Sequence, residues 1–140
     1  MKTNAVEVAG HGEADELATD IAILVRLSTV HEAQTRLARE RQAPELSSAD
    51  PSQRMEALAK EEAAAAERAR RLAGGLSPDA RRIYASLWTA SRLPFAVGLT
   101  GDCCSGCNMR LPSGVLGEMR RVRRLHRCPS CKRVVSPPGP

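Results

Sequence analysis

Two pairs of cysteines constrain this chain more than any other feature in it. Cys104 and Cys107 stand three positions apart in CSGC, Cys128 and Cys131 repeat that spacing in CPSC, and 20 residues separate the pairs. Two sulfurs spaced this way across a tight turn can grip one ion at about 2.3 Å each, and two such turns complete a tetrahedron of thiolates. Four protein ligands leave no open coordination position, so the chemistry implied is structural and not catalytic. The spacing predicts one structural Zn2+ held by Cys104, Cys107, Cys128 and Cys131, with Gly106 tightening the first turn and Pro129 stiffening the second. Buried thiols or disulfides are the plainer reading of five cysteines. Two x2 pairs in a chain whose start, MKTNAVEVAGHGEADE, shows no apolar export segment favour metal instead.

Cys103 is the spare: its x3 spacing to Cys107 fits such a turn less well. His126, two positions before Cys128, is the alternative ligand, although a histidine so placed more commonly sits at the surface. His11 and His31 belong to no constellation.

An ion is also what this composition calls for. The 140 residues include one Trp, one Tyr and one Phe. A chain so poor in large apolar side chains cannot build a thick core; helices paired along a narrow seam, with a staple for the small end, suit it better. A structural zinc can contribute on the order of 10 kcal/mol to folding such an end.

The remainder reads as helix. Residues 1–12 are expected to form a loose tail and 13–93 a helical hairpin or stalk. From about Glu13 to Gln42, Leu17, Ile21 and Leu24 form one stripe, and Ile23, Leu27, Val30 and Leu37 a neighbouring one. Ser28, His31 and Thr35 interrupt it where a strict heptad wants apolar residues. APELSSADPSQ breaks the pattern; Asp50 caps and Pro51 opens a second helix, with Gln53 three residues after the cap. Met55, Leu58, Ala65, Ala69 and Leu72 give its seam, interrupted by Glu62, and Gly74-Gly75 ends it. Ser77-Pro78 starts a third helix whose inner face is Ile83, Leu87 and Ala90, with Tyr84 and Trp88 beside it. PFAVGLTGD reads as a short strand and turn into the cysteines, 94–136 as the zinc module, and 137–140 as a disordered end. The fold class expected is mainly α: an antiparallel, coiled-coil-like hairpin plus a third helix, then a small four-cysteine zinc ribbon with short β-strands. The alanine-rich seam can close within one chain or, as a homodimer, between two.

Charge divides along the same line. Met1–Ser91 carries 12 basic and 14 acidic residues, whereas Arg92–Pro140 carries 9 basic and 2 acidic, a net of +7. No apolar run approaches the roughly 20 residues of a membrane span. The chain reads as a cytoplasmic protein with a basic knob on a mildly acidic stalk, a polarity that suits an anionic partner. In GVLGEMRRVRRLHR, a helix would line Val115, Met119 and Val122 on one side and gather Arg120, Arg124 and Arg127 on the other, flanked by Arg121 and Arg123. Arg110, Lys132 and Arg133 come from the knuckles themselves. Guanidinium groups present paired donors that fit phosphate. With no aromatic near these arginines beyond Phe95, base stacking is missing and backbone contact with RNA or DNA is the expected mode. An acidic protein surface is the competing partner, and neutralisation of the thiolate charge the plainer one. No nucleophile–base pair, phosphate loop or open metal site marks an enzyme.

The carboxyl half resembles the bacterial C4-type zinc-ribbon proteins with an N-terminal coiled-coil hairpin. LSPDARRIYASLW, AVGLTGDCCSGCNMRLPSGVLGEM and RCPSCKRVV carry the likeness over about 60 residues. Cys104, Gly106, Cys107, Met109, Leu111, Pro112, Cys128, Pro129, Cys131 and Arg133 match that family's signature in order and spacing. The resemblance implies a ribbon on a helical hairpin that binds nucleic acid. Two departures stand out: Lys132 replaces the glycine after the last cysteine, a position that often takes φ > 0, and the hairpin is short for the family. Transcription factors of the secondary-channel type, which regulate RNA polymerase, also join a hairpin to a four-cysteine module. ELSSADPSQ is a poor match to their acidic tip. A protein–protein adaptor using the hairpin is the other alternative.

Overall fold

The computed structural model describes residues 2–42 and 50–137, with side chains from Glu16 onward. The chain runs α1 (Lys2–Gln42), α2 (Pro51–Gly74), α3 (Pro78–Thr89), β1 (Ala96–Val97), β2 (Leu99–Thr100), β3 (Cys103–Cys104), α4 (Ser113–Arg121), β4 (His126–Arg127) and β5 (Val134–Val135). The order is the expected one, helices first and a short-stranded ribbon last. One boundary differs: α1 reaches Lys2, where a tail was expected up to residue 12. Helix propagation adds a backbone hydrogen bond for each residue fixed and needs no apolar stripe, so periodicity could not reveal this extension. Most of the loop between α1 and α2, and residues 138–140 of the expected frayed end, lie outside the described residues.

The caps follow the sequence. The Asp50 carboxylate accepts from the N–H groups of Ser52 and Gln53 at the head of α2, and Ser77 Oγ accepts from the Ala80 N–H at the head of α3. Each cap satisfies donors that a helix start leaves unpaired, worth about 1 kcal/mol. Helices α1 and α2 run antiparallel: Glu40 and Arg41 pair with Arg54 and Glu62 at one end, and the Ile23 side chain lies against Gly75 at the other. Their seam closes within one chain, with Leu24, Leu27, Val30 and Leu37 against Leu58, Ala65 and Ala69. Alanine at the seam lets the axes approach closely. Glu62, the polar interruption in α2, reaches Arg41 at 3.0 Å.

The interruptions in α1 have a tertiary cause. Ser28 Oγ donates to the Leu24 carbonyl and accepts from the Phe95 N–H, both at 2.8 Å. His31 is buried against Trp88, with ring centroids 3.9 Å apart, and meets the edge of Phe95. Its Nδ1 bonds to Gln34 Oε1 and its Nε2 lies 2.6 Å from the Tyr84 hydroxyl. The neutral ring satisfies both contacts, with Nδ1–H donating to the amide oxygen and Nε2 accepting from tyrosine. The chain's three aromatic residues thus converge on one histidine of α1. His31, which belonged to no constellation in the sequence, is the centre of this one. Thr35 returns its hydroxyl to the His31 carbonyl, as a solvent-facing threonine in a helix often does.

The ribbon is therefore seated on the helices and not strung from them. Phe95, Ala96 and Val134 belong to the same buried cluster as the α1–α2 seam, and Leu125 packs against it. A three-stranded sheet in the order β1-β5-β4 pairs β5 parallel to β1 and antiparallel to β4, while β2 and β3 form an antiparallel pair beside it.

Candidate metal centre and the basic face around it

The two cysteine turns are built alike. In the first, the Asn108 N–H reaches the Cys104 carbonyl at 2.8 Å and the Cys104 N–H reaches the Met109 carbonyl at 2.9 Å. In the second, Lys132 N–H reaches the Cys128 carbonyl and Cys128 N–H the Arg133 carbonyl, both at 2.9 Å. The residue after the second cysteine is left-handed in each: Asn108 has φ 63° and Lys132 φ 67°. The first turn places there an asparagine, which tolerates this region; the second places a lysine, at a steric cost. Gly106 serves a different purpose from the one expected. A Cβ at Gly106 would lie 3.0 Å from Arg133 Cδ and 3.3 Å from Val97 Cγ1, so the glycine makes room for the Arg133 side chain.

These turns bring Cys104, Cys107, Cys128 and Cys131 together, with all four Sγ atoms within 4.8 Å of one another. Cys104 and Cys131 sulfurs are 3.7 Å apart, and Cys107 and Cys128 sulfurs 3.6 Å. A tetrahedron with metal–sulfur bonds of about 2.3 Å has edges of about 3.8 Å, so the donor set fits one structural zinc. Three of the four ligands are buried, and Leu111, Met119 and Val135 close around them. Cys103 stays out of the cluster. It pairs with Thr100 in the β2–β3 ladder, and successive strand residues face opposite ways. His126 is buried too, but its Nε2 meets the Val122 carbonyl at 3.1 Å, so it pins the chain entering the second turn and is no ligand.

The thiols are poised unequally. Burial pushes the Cys104 thiol up to about 12, against the N–H groups of Cys107 and Gly106 that favour its thiolate. Burial also raises Cys131, but the Arg133 backbone and side chain and the neighbouring thiols outweigh it and bring Cys131 down to about 7. The cluster therefore favours thiolate at one sulfur and opposes it at another, and a dication held there would favour the thiolate form of all four. Elsewhere, burial lowers the His31 pKa despite the Gln34 hydrogen bond that favours its charged form.

The predicted basic residues fall into three groups. Arg133 is taken up by the fold: Nε and NH2 donate to the Pro94 and Leu93 carbonyls at 3.0 and 2.9 Å. Arg127 Nε donates to the Lys132 carbonyl at 2.8 Å. The helix expected across the arginine run stops early. Helix α4 ends at Arg121, and Val122 is extended and exposed, with φ −113° and ψ 120°. Arg120, Arg124 and Arg127 therefore do not share one helix face. Leu125, in the segment before β4, packs against the core shared with the helices, and His126 is buried in β4; this burial outcompetes helix continuation. Arg123, Arg124 and Arg127 line a cleft against the stalk, whereas Arg110, Arg120, Arg121 and Lys132 are exposed outside it. The ribbon's two acids are already matched, Glu118 to Arg124 at 3.1 Å and Asp102 to Arg110 at 3.7 Å.

Among the described residues no helix is long and apolar enough to cross a membrane. Residues 103–135 match the family model of the C4-type zinc ribbon domain. Among solved structures the chain is similar to the HP0958 protein from Helicobacter pylori CCUG 17874, with 14% identity, 99% of this chain and 84% of that chain covered, and a TM-score of 0.44. No curated protein matches the chain.

Proposed function

We propose that this chain, which carries a C4-type zinc ribbon at 103–135, is a non-enzymatic binding protein that presents the exposed basic face of the ribbon to the phosphate backbone of nucleic acid, RNA or DNA. The observation that supports this most is the unbalanced charge of that face. Each ribbon acid is matched to one arginine, which leaves Arg120, Arg121 and Lys132 exposed with no ion pair among the described residues. Neutralising the thiolate cluster is the competing role for such charges, and Arg133, which favours the Cys131 thiolate, supplies part of it. Five unpaired cysteines suit a reducing compartment, which supports a cytoplasmic location.

Contacts of this kind are electrostatic and indifferent to sequence, and the logarithm of affinity falls linearly with the logarithm of salt. The test is binding of a labelled single strand and a labelled duplex across a salt series, for the parent and for Arg120→Ala/Arg121→Ala/Lys132→Ala. Each phosphate contact removed is expected to flatten the salt slope by about 1. An unchanged slope in that variant refutes this face as the contact surface.

A further inference from the structure

Solvent does not reach the four ligands equally. Cys104 and Cys128 are wholly buried and Cys131 nearly so, whereas Cys107 is only partly covered. Its neighbours in the first turn, Ser105, Asn108 and Met109, are exposed. A small oxidant arriving from water therefore meets Cys107 before any other ligand. The Cys107 sulfur also has a second sulfur at hand: Cys128 Sγ lies 3.6 Å away, in the other turn. The Cys104 sulfur is engaged elsewhere, 3.7 Å from Cys131 Sγ and 3.4 Å from the Gly106 N–H. Cys103 is partly exposed as well, but it lies outside the cluster.

We propose that Cys107 is a site of oxidative modification, where a hydroperoxide converts the zinc site into a Cys107–Cys128 disulfide. A cysteine held on a metal is a thiolate, the form that reacts with peroxides. A thiolate that solvent reaches, set beside a second sulfur, is the arrangement of a reversible thiol switch. The Cys107 sulfur attacks one peroxide oxygen. The O–O bond breaks, a sulfenic acid forms, and the departing hydroxide takes a proton from solvent to become water. The Cys128 thiolate then attacks the Cys107 sulfur; the S–S bond forms, the S–O bond breaks, and the second hydroxide leaves as water after taking a proton. The two thiolates together lose two electrons, and one peroxide is reduced to two waters. Cys104 and Cys131 alone do not complete a tetrahedron, so the ion is released. Leu111, Met119 and Val135 close around these ligands, and the ribbon loosens with that loss. A thiol reductant and fresh zinc reverse the change. The modification belongs to the metal site, so it stands or falls separately from the nucleic-acid reading.

The test treats the full chain, loaded with zinc, with hydrogen peroxide. Zinc release is followed with a chromogenic zinc indicator. At substoichiometric peroxide the remaining thiols are alkylated and the disulfides are mapped by tryptic mass spectrometry. About one zinc is expected to leave per peroxide consumed. The first linkage is expected to join peptide 93–110 to peptide 128–132 and to fragment as Cys107–Cys128. Cys103→Ser is expected to change the release rate by less than about twofold, and Cys107→His, which keeps a zinc-binding side chain there, to slow it by at least about tenfold. Should Cys107→His not retain zinc, the linkage map of the parent decides. A first disulfide between Cys104 and Cys107, or one that involves Cys103, overturns the proposal. So does zinc that stays bound in excess peroxide, or release from Cys107→His as fast as from the parent. A parent that carries no zinc before peroxide is added overturns the metal site itself and this proposal with it.

Discussion

The helical hairpin and the ribbon solve the same problem, a shortage of large apolar side chains, in different ways. The hairpin spreads its burial along a seam, where Leu24, Leu27 and Leu58 alternate with small residues such as Ala65 and Ala69. The loss of any one contact leaves the rest of such a seam in place. The ribbon concentrates its burial: of the six residues at the centre of its cluster, three are cysteine ligands. Without the metal, half of that core consists of small thiols crowded against one another. A distributed core degrades gradually, whereas a core organised by one ion is present or absent.

The sharpest way to break this contrast is to remove the ion. Chelation, or Cys128→Ser, is expected to withdraw on the order of 10 kcal/mol from the ribbon. The ribbon's dispersed amide NMR signals should collapse while most helical circular dichroism persists, since the α1–α2 seam contains no ligand. A ribbon that keeps its signals in chelator would remove the basis of the zinc reading. Next in size is Phe95→Ala, expected to cost about 3–5 kcal/mol. Phe95 is wholly buried where the two regions meet. Urea melts followed by helical circular dichroism and by the ribbon's amide NMR signals should both shift, and a shift in only one would mean that the regions are less coupled than the shared core indicates.

Acid sharpens the comparison from the other side. Burial depresses the His31 pKa in the folded state, so the unfolded chain binds its proton more readily. The stabilisation is fully present above the unfolded value of about 6.5 and declines as pH falls below it. Melts at successive pH values should show this loss in the parent and less of it in His31→Gln, with zinc release from the protonated thiols common to both. The smallest effect is expected at Lys132→Gly. Relief of the left-handed lysine should stabilise the ribbon by about 1 kcal/mol, read as a higher chelator concentration for half-unfolding; a loss of stability would mean that the lysine side chain makes a stabilising contact that outweighs its steric cost.

Local signals were legible in the sequence. The four ligands, the Asp50 and Ser77 caps, the seam of α1 and α2 and the unusual position of Lys132 all depend on residues within a turn or two of one another, so spacing and residue type suffice to find them. Asn108 carried a similar signal, since an asparagine after the second cysteine marks the same left-handed step. The arginine run was misread for the same reason. Its helical propensity is local, but the packing of Leu125 against a core shared with α1 is not.

By itself, then, the sequence determined that a four-sulfur site would organise the carboxyl end and that the remainder would pair as helices, because those outcomes depend on short spacings and side-chain type. Only the tertiary structure decided which polar residues of α1 serve the junction. Ser28 meets Phe95 across 67 positions, and His31 meets Tyr84 across 53. Only the tertiary structure, too, committed Arg133 to the backbone of Leu93 and Pro94 and brought Arg123 and Glu16 to the lining of one cleft. These partners lie far apart along the chain, and what a polar side chain meets after such a closure is fixed by how the helices and the ribbon pack, which no local pattern encodes.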